Sequence, residues 1–157
     1  METRNALLIG YGNPGRGDDG LGPAFSEAMS ARGLSGLTVD TDYQLVAEHA
    51  LDISDRDLVI FADAMMGDDA PFRFGRIAPA RPEAMGSHSL RPETVLALVD
   101  TLYGGAPEAF VLGISGYEFG EVREGLSKKA ESNLEAAKAF FLSWYAETIG
   151  RPVSAHA

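Results

Sequence analysis

Short apolar runs and stretches of helical periodicity alternate along most of the chain. The apolar runs, closed by glycines or flanked by carboxylates, are typical of buried parallel strands, and they cover residues 6–10, 37–40, 57–63 and 109–114. Apolar positions three and four residues apart predict helices over residues 23–32, 44–51, 92–103 and 127–149. Strands that alternate with helices in this way predict an α/β domain with a mostly parallel sheet.

Residues 72–77 differ from the other predicted strands because apolar and polar positions alternate along them. This pattern predicts an exposed strand at an antiparallel edge of the sheet. We therefore expect a three-layer α/β/α sandwich with a mostly parallel, mixed and twisted sheet of about five strands and helices on both faces. Residues 1–150 are expected to form this single domain, and residues 151–157 a flexible C-terminal tail.

The composition is that of a globular protein. The chain has 157 residues, of which 45% are apolar and 23% charged, and this length fits one domain. No apolar run reaches the roughly 18 residues of a transmembrane helix, and the first residues lack a signal-peptide pattern. We therefore expect a soluble cytoplasmic protein with no membrane partner. Cysteine is absent, which excludes disulfides, thiolate metal sites and a cysteine nucleophile.

Negative charge is concentrated in one part of the chain. The net charge is −10, and residues 18–69 carry twelve acidic residues against two basic ones, while the remainder is balanced. Such a surface repels nucleic acid, because binding of nucleic acid depends on neutralising its phosphates, so we expect no nucleic-acid partner. It suits metal ions or a basic partner, although an acidic face that only keeps the protein soluble explains the charge equally well.

The loop after the first strand matches G-x-G-x-x-G from Gly10 to Gly15. This pattern, between a strand and a helix, is typical of loops that bind the pyrophosphate of a dinucleotide. Two features oppose that interpretation here. Pro14 lacks a backbone donor, and the Asp18-Asp19 pair places negative charge where a pyrophosphate would lie.

Carboxylates also follow two of the predicted strands. In a doubly wound sheet whose first and third strands are neighbours, Asp19 and Asp63 would face each other at the carboxyl edge. Two close carboxylates must share a proton or a cation, and His88 in a loop of small residues could complete a site for nickel or zinc. Helix capping and an exposed loop histidine are the alternatives. His49, within the predicted helix 44–51, is expected at the surface.

Several segments together resemble one known family. The stretch from Leu8 to Pro23, with an acidic pair after its glycine loop, resembles the N-terminal signature of the NiFe-hydrogenase maturation endopeptidases. Residues 60–64 resemble their second motif, residues 87–90 lie where their histidine motif lies, and residues 112–114 and 125–127 resemble their C-terminal block. The resemblance extends, in order, over nearly the whole chain.

This resemblance implies an endopeptidase that removes the C-terminal extension of a hydrogenase large-subunit precursor after nickel insertion. The nickel, held by cysteines of the precursor, would be the recognition element, so the free enzyme is not expected to bind it tightly. The family's metal-contacting positions fall on Asp19, Asp63 and His88, which are the expected metal-binding and catalytic residues. We further hypothesise that the two aspartates help to activate water.

Four other residues are expected to contact the substrate, because they lie in the glycine loop or near the carboxyl ends of strands. They are Asn13, Asp18, Asp40 and Glu118. For Asp18, the roles of metal ligand and helix cap also remain open.

Two other functions fit part of the same pattern. The G-x-G-N-P-G sequence also resembles the start of the peptidyl-tRNA hydrolases, but the histidine that follows in that family is missing, and the acidic charge disfavours tRNA. A non-catalytic module that binds nickel or a nucleotide would use the same loop. Such a nickel module should bind the metal tightly without a substrate, whereas the peptidase should bind it weakly.

Overall fold

The computed structural model describes residues 4–81, 90–120 and 122–150. The elements within these ranges are β1 (Ala6–Tyr11), α1 (Leu21–Arg32), β2 (Leu37–Asp42), α2 (His49–Ile53), β3 (Leu58–Met66), β4 (Phe72–Ile77), α3 (Pro92–Tyr103), β5 (Glu108–Gly116) and α4 (Lys128–Ile149). A 3-10 turn over Gly17–Gly20 leads directly into α1. No helix in this described part is long and apolar enough to cross a membrane.

The strands form one sheet in the order β2-β1-β3-β5-β4. β2, β1, β3 and β5 are parallel, and β4 pairs antiparallel with β5 at the edge. The predicted α/β class and the predicted antiparallel edge strand are therefore confirmed. β1 and β3 are neighbours, so the loops that follow them leave the same edge of the sheet side by side.

Each face of the sheet is covered by helices and has its own apolar core. On one face, buried residues of β1, β3 and β5 pack against α1 and α4, with Phe25 and Phe141 fully buried between them. On the other face, residues such as Ile9 and Phe61 pack against α2 and α3. This arrangement confirms the three-layer sandwich. It also explains why β1 and β3 begin with runs of consecutive apolar residues, Ala6–Ile9 and Leu58–Ala62, since both faces of these strands are buried there.

The region between β2 and β3 departs from the sequence prediction. Only His49–Ile53 is helical, whereas the periodicity predicted a helix from residue 44. The predicted surface position of His49 is wrong, because its side chain is only 3% exposed. The Nδ1 atom of His49 accepts a hydrogen bond from the backbone N–H of Val46 at 2.9 Å, which holds the ring beneath the preceding turn. The predicted C-terminal tail lies outside the described residues.

Replacement of Phe141 by alanine tests the larger core. The Phe141 ring contacts Phe25 edge-on at a centroid distance of 5.3 Å and stacks on Tyr145 at 5.6 Å. We expect Phe141→Ala to lower the free energy of unfolding by roughly 3–5 kcal/mol in urea denaturation, because a buried ring leaves a cavity. Leu102→Ala, at a 64% exposed side chain, is the control and should cost less than about 0.5 kcal/mol. Equal losses for both variants would contradict this packing.

Candidate active site

The glycine loop between β1 and α1 satisfies its own backbone donors. Every amide N–H from Gly12 to Asp19 (Pro14 has none) donates a hydrogen bond within the chain. The acceptors belong to Asp42, Asp19, Asn13, Arg123, Glu118 and Arg16. A pyrophosphate bound at this loop would need such donors to be free. The geometry therefore opposes the dinucleotide interpretation of the G-x-G-x-x-G match.

Gly12 is required because another part of the same loop fills the space beside it. Its φ angle is 144°, and an added Cβ would lie 2.0 Å from the carbonyl oxygen of Asp19. No larger residue fits this conformation or this contact. The glycine pattern thus serves to fold the loop back onto the 3-10 turn that carries the two aspartates.

Asp18 is the buried anchor of the loop. Its carboxylate is fully inaccessible and accepts hydrogen bonds from the backbone N–H groups of Tyr117 (2.8 Å), Glu118 (3.1 Å) and Ser127 (2.7 Å), and from the Ser127 hydroxyl (2.8 Å). Burial disfavours the charged form, but these hydrogen bonds outweigh it and lower the pKa of Asp18. Asp18, expected above to contact substrate, faces the interior, where it binds the segment that leads into α4.

Asp19 and Asp63 lie towards the carboxyl edge of the sheet, Asp19 on the 3-10 turn that follows β1 and Asp63 within the neighbouring strand β3. The Oδ2 atom of Asp19 accepts a hydrogen bond from the backbone N–H of Asn13 at 2.7 Å. The pKa of Asp63 is raised to about 7, mainly by burial and also by the nearby charge of Asp19, against the opposing effects of hydrogen bonds from the Ala64 N–H and the Tyr11 side chain. The two carboxylates thus interact electrostatically, as the adjacency of β1 and β3 requires.

Tyr11 is a member of this site that the sequence analysis did not single out. It ends β1 one residue beyond the Gly10–Ala62 pair, which places it beside Asp63. Burial raises the pKa of the Tyr11 hydroxyl, and so does the negative charge of Asp63, so Tyr11 stays protonated. Its hydroxyl group at the carboxyl end of β1, the strand next to β3, is the sequence feature that could have indicated Tyr11 as a site residue.

The other expected substrate contacts have clear roles in shaping the loops. Asn13 accepts a hydrogen bond from the N–H of Gly15 at 2.9 Å through its side chain, and Glu118 pairs with Arg123. The carboxylate of Asp40 lies near His49, with 3.5 Å between the Oδ2 atom of Asp40 and the Nε2 atom of His49. These contacts leave Asn13 partly exposed beside Asp19, whereas Asp40 lies on the neighbouring edge strand β2.

A complete metal site is not found among the residues that the structure describes. No group of three or more histidine or acidic side chains in this part of the chain is placed to hold a metal ion. His88, the expected imidazole ligand, lies outside the described residues. Among the described residues, the carboxylates of Asp19 and Asp63 are the two of the three expected metal ligands that lie at the carboxyl edge of the sheet. A divalent cation between them would relieve their repulsion.

Solved structures share this arrangement of elements. The chain is similar to the hydrogenase maturating endopeptidase HybD from E. coli, with a TM-score of 0.72 and 20% identity over 92% of this chain and 93% of that one. The chain has the fold of the hydrogenase maturation peptidases. It is also similar to the maturation protease HycI from Thermococcus kodakarensis, with a TM-score of 0.71 and 19% identity over 91% and 93% of the two chains.

A hydrogenase 2 maturation peptidase from a Thaumarchaeota archaeon has a TM-score of 0.66 and 21% identity over 93% and 99% of the two chains. No protein-family model matches the chain, and no curated protein matches it in sequence at a significant level. The resemblance first seen in short motifs therefore extends to the whole fold, at identities where the fold is what the comparison establishes.

Replacement of Asp18 by asparagine tests the anchor. An amide nitrogen would face at least one N–H donor that the carboxylate now satisfies, so we expect a loss of roughly 2–4 kcal/mol in the free energy of unfolding at pH 7. Because the pKa of Asp18 is lowered in the folded state, its contribution is present above about pH 4 and is lost as the pH falls further. The exposed Asp69→Asn is the control. A neutral effect of Asp18→Asn at pH 7 would contradict the role of an anchor.

The pH dependence of stability tests the raised pKa of Asp63. An unfolded aspartate ionises near pH 4, whereas Asp63 in the folded protein resists ionisation up to about pH 7, so its ionisation costs stability as the pH rises through this interval. Asp63→Asn removes this cost. We expect its free energy of unfolding, relative to the wild type, to rise by roughly 4 kcal/mol between pH 4 and pH 8. A difference that stays constant with pH would show that Asp63 titrates normally.

Proposed function

We propose that this protein is an endopeptidase that removes the C-terminal extension of a NiFe-hydrogenase large-subunit precursor. The observation that carries the proposal is the pair of interacting carboxylates, Asp19 and Asp63, at the carboxyl edge of the sheet. The fold, shared with HybD and HycI over more than nine-tenths of the chain, supports it. We expect the partner to be this precursor and the reaction to take place in the cytoplasm.

Asp63 is suited to proton transfer at neutral pH. In the metal-free protein its pKa of about 7 leaves the carboxyl group partly ionised at neutral pH, and a bound cation would shift it towards the carboxylate, the form that accepts a proton from water. In the proposed reaction, water attacks the scissile carbonyl as Asp63 takes its proton, and that proton then passes to the leaving amine. Burial is the main cause of this raised pKa, Asp19 raises it further towards that value, and the hydrogen bond from Tyr11 lowers it.

The nickel of the precursor is proposed as part of the substrate. Ionised Asp19 and Asp63 repel each other, and a divalent cation brought by the substrate removes this repulsion. Two carboxylates and the imidazole of His88 would complete the coordination of nickel already held by precursor cysteines, and alone they would hold it weakly. Precursor without nickel would lack this interaction, so cleavage would depend on prior metal insertion.

The competing functions have less support. A nucleotide-binding module would need free amides in the glycine loop, and these amides are bonded within the chain. A hydrolase acting on tRNA would need a basic surface, whereas the net charge is −10.

Cleavage of a purified precursor tests the proposal. Large-subunit precursor from the source organism, loaded with nickel or metal-free, is incubated with the protein, and the mass of each product is measured. We expect release of the C-terminal segment from the loaded precursor only. Asp63→Asn should lower the rate by at least about a hundredfold, because it removes the proton acceptor. Asp19→Asn and His88→Ala should also impair cleavage.

Asp100→Asn is the matched control, because it removes an exposed carboxylate from the last turn of α3. This variant should cleave like the wild type. Intact loaded precursor after incubation with wild-type protein would overturn the proposed function. Normal cleavage by Asp63→Asn would retain the peptidase but remove Asp63 from its chemistry.

A further inference from the structure

A groove leads from Asp63 across the sheet to its antiparallel edge. Its volume is about 730 Å³, and it lies between the start of α3 and the strands β3, β5 and β4. Asp63 and Tyr11 lie at one end, and residues of β4 line the other. The groove is therefore continuous with the candidate active site, and a chain held at Asp63 could continue into it.

Strand register places an arginine directly across this groove from Asp63. Asp63 of β3 pairs with Gly113 of β5, and Gly113 pairs with Arg73 of β4. The three residues form one row across the sheet, so their side-chain positions share the face covered by α3. Two inter-strand spacings separate Asp63 from Arg73, which is roughly 10 Å, or about three residues of extended chain.

The floor of the groove between these two charges contains one large side chain, that of Met65. Gly113 lies between Asp63 and Arg73, and a Cβ added there would come within 3.0 Å of the sulfur of Met65. Gly75 faces open space on β4, next to Val111. The flexible Met65 thioether beside Gly113, the open position at Gly75 and the start of α3 as one wall suit an extended peptide.

The charge of the groove differs from that of the rest of the protein. Its charged lining residues comprise three arginines and two acidic residues, in a chain whose net charge is −10. Arg73 is 65% exposed and pairs with Asp68 at 2.5 Å, an exposed pair of the kind that contributes little to stability. Arg91 lies at the N-terminal end of α3, whose dipole adds partial positive charge. Arg76 reaches Glu108 instead.

We propose that this groove binds the segment that is removed from the substrate, and that Arg73 binds a carboxylate about three residues beyond the scissile bond. This inference rests on the proposed function, which supplies an extended C-terminal segment as the occupant. A guanidinium has five N–H donors, so Arg73 can bind a substrate carboxylate while Asp68 orients it. Arg73 is thus a determinant of specificity for acidic extensions.

Peptide binding tests the groove without any cleavage. The probe is a short fluorescein-labelled peptide of alternating alanine and glutamate with a free carboxyl terminus, and its affinity is measured by fluorescence anisotropy. The reference probe replaces each glutamate by glutamine and the terminal carboxylate by an amide. We expect the acidic probe to bind more tightly in spite of the negative net charge of the protein, and its binding to weaken with salt.

Matched variants show whether Arg73 binds the carboxylate. Arg73→Gln should weaken binding of the acidic probe roughly tenfold, the effect of losing one charge-assisted contact. Arg32→Gln removes the same charge from an exposed position at the end of α1, on the opposite face of the sheet, and should bind like the wild type. Asp68→Asn, which releases Arg73 from its partner, should bind more tightly than Asp69→Asn, which changes the net charge equally.

The groove and the proposed function can fail separately. Equal affinities for the two probes, or wild-type affinity in Arg73→Gln, would overturn the proposed peptide-binding role of the groove, whether or not the precursor is cleaved. Selective binding that Arg73→Gln weakens would support it even if wild-type protein leaves loaded precursor intact, which would overturn only the peptidase. In a cleaving enzyme, the Arg73→Gln variant should raise KM for a precursor with an acidic extension and leave kcat nearly unchanged.

Discussion

The buried carboxylate of Asp18 holds together segments that lie 99 to 109 residues apart in the sequence. One side chain accepts hydrogen bonds from the turn after β5 and from the cap of α4, while its own backbone N–H donates to Glu118. A buried charge is stable only when it is solvated by donors of this kind. Asp18 therefore fixes the glycine loop, the end of β5 and the start of α4 relative to one another, and the position of Asp19 beside it depends on these contacts.

Closure of the glycine loop decides what the site can do. A loop whose amides are all bonded within the chain has none left to hold a phosphate, and one of its partly exposed side chains is the carboxylate of Asp19. Because β1 and β3 are adjacent, the charge of Asp19 lies near Asp63, whose ionised form is already disfavoured by burial. The same pattern of glycines that in other proteins forms an anion site is here compatible with the proposed site for a proton or a cation.

The sequence predicted the fold well because periodicity reports burial, and both faces of the central strands are buried. It also predicted the meeting of Asp19 and Asp63, since that needs only the strand order. Asp18 and Asp19 could not be told apart, because they are identical neighbours and the donors to Asp18 come from distant loops. The burial of His49 depends on local turn geometry, and the alignment of Asp63, Gly113 and Arg73 across the sheet depends on strand register. Hydrophobic periodicity predicts neither.

The most direct test of this account is an NMR titration of the aspartate carboxyl carbons in the wild type and in Asp19→Asn. The account predicts one carboxyl group, Asp18, that titrates below the usual range of aspartates, and another, Asp63, that titrates near pH 7. It also predicts that Asp19→Asn lowers the pKa of Asp63, because the neighbouring charge is gone. An Asp63 that titrates near pH 4 in both proteins would contradict the coupled pair and, with it, the proposed chemistry.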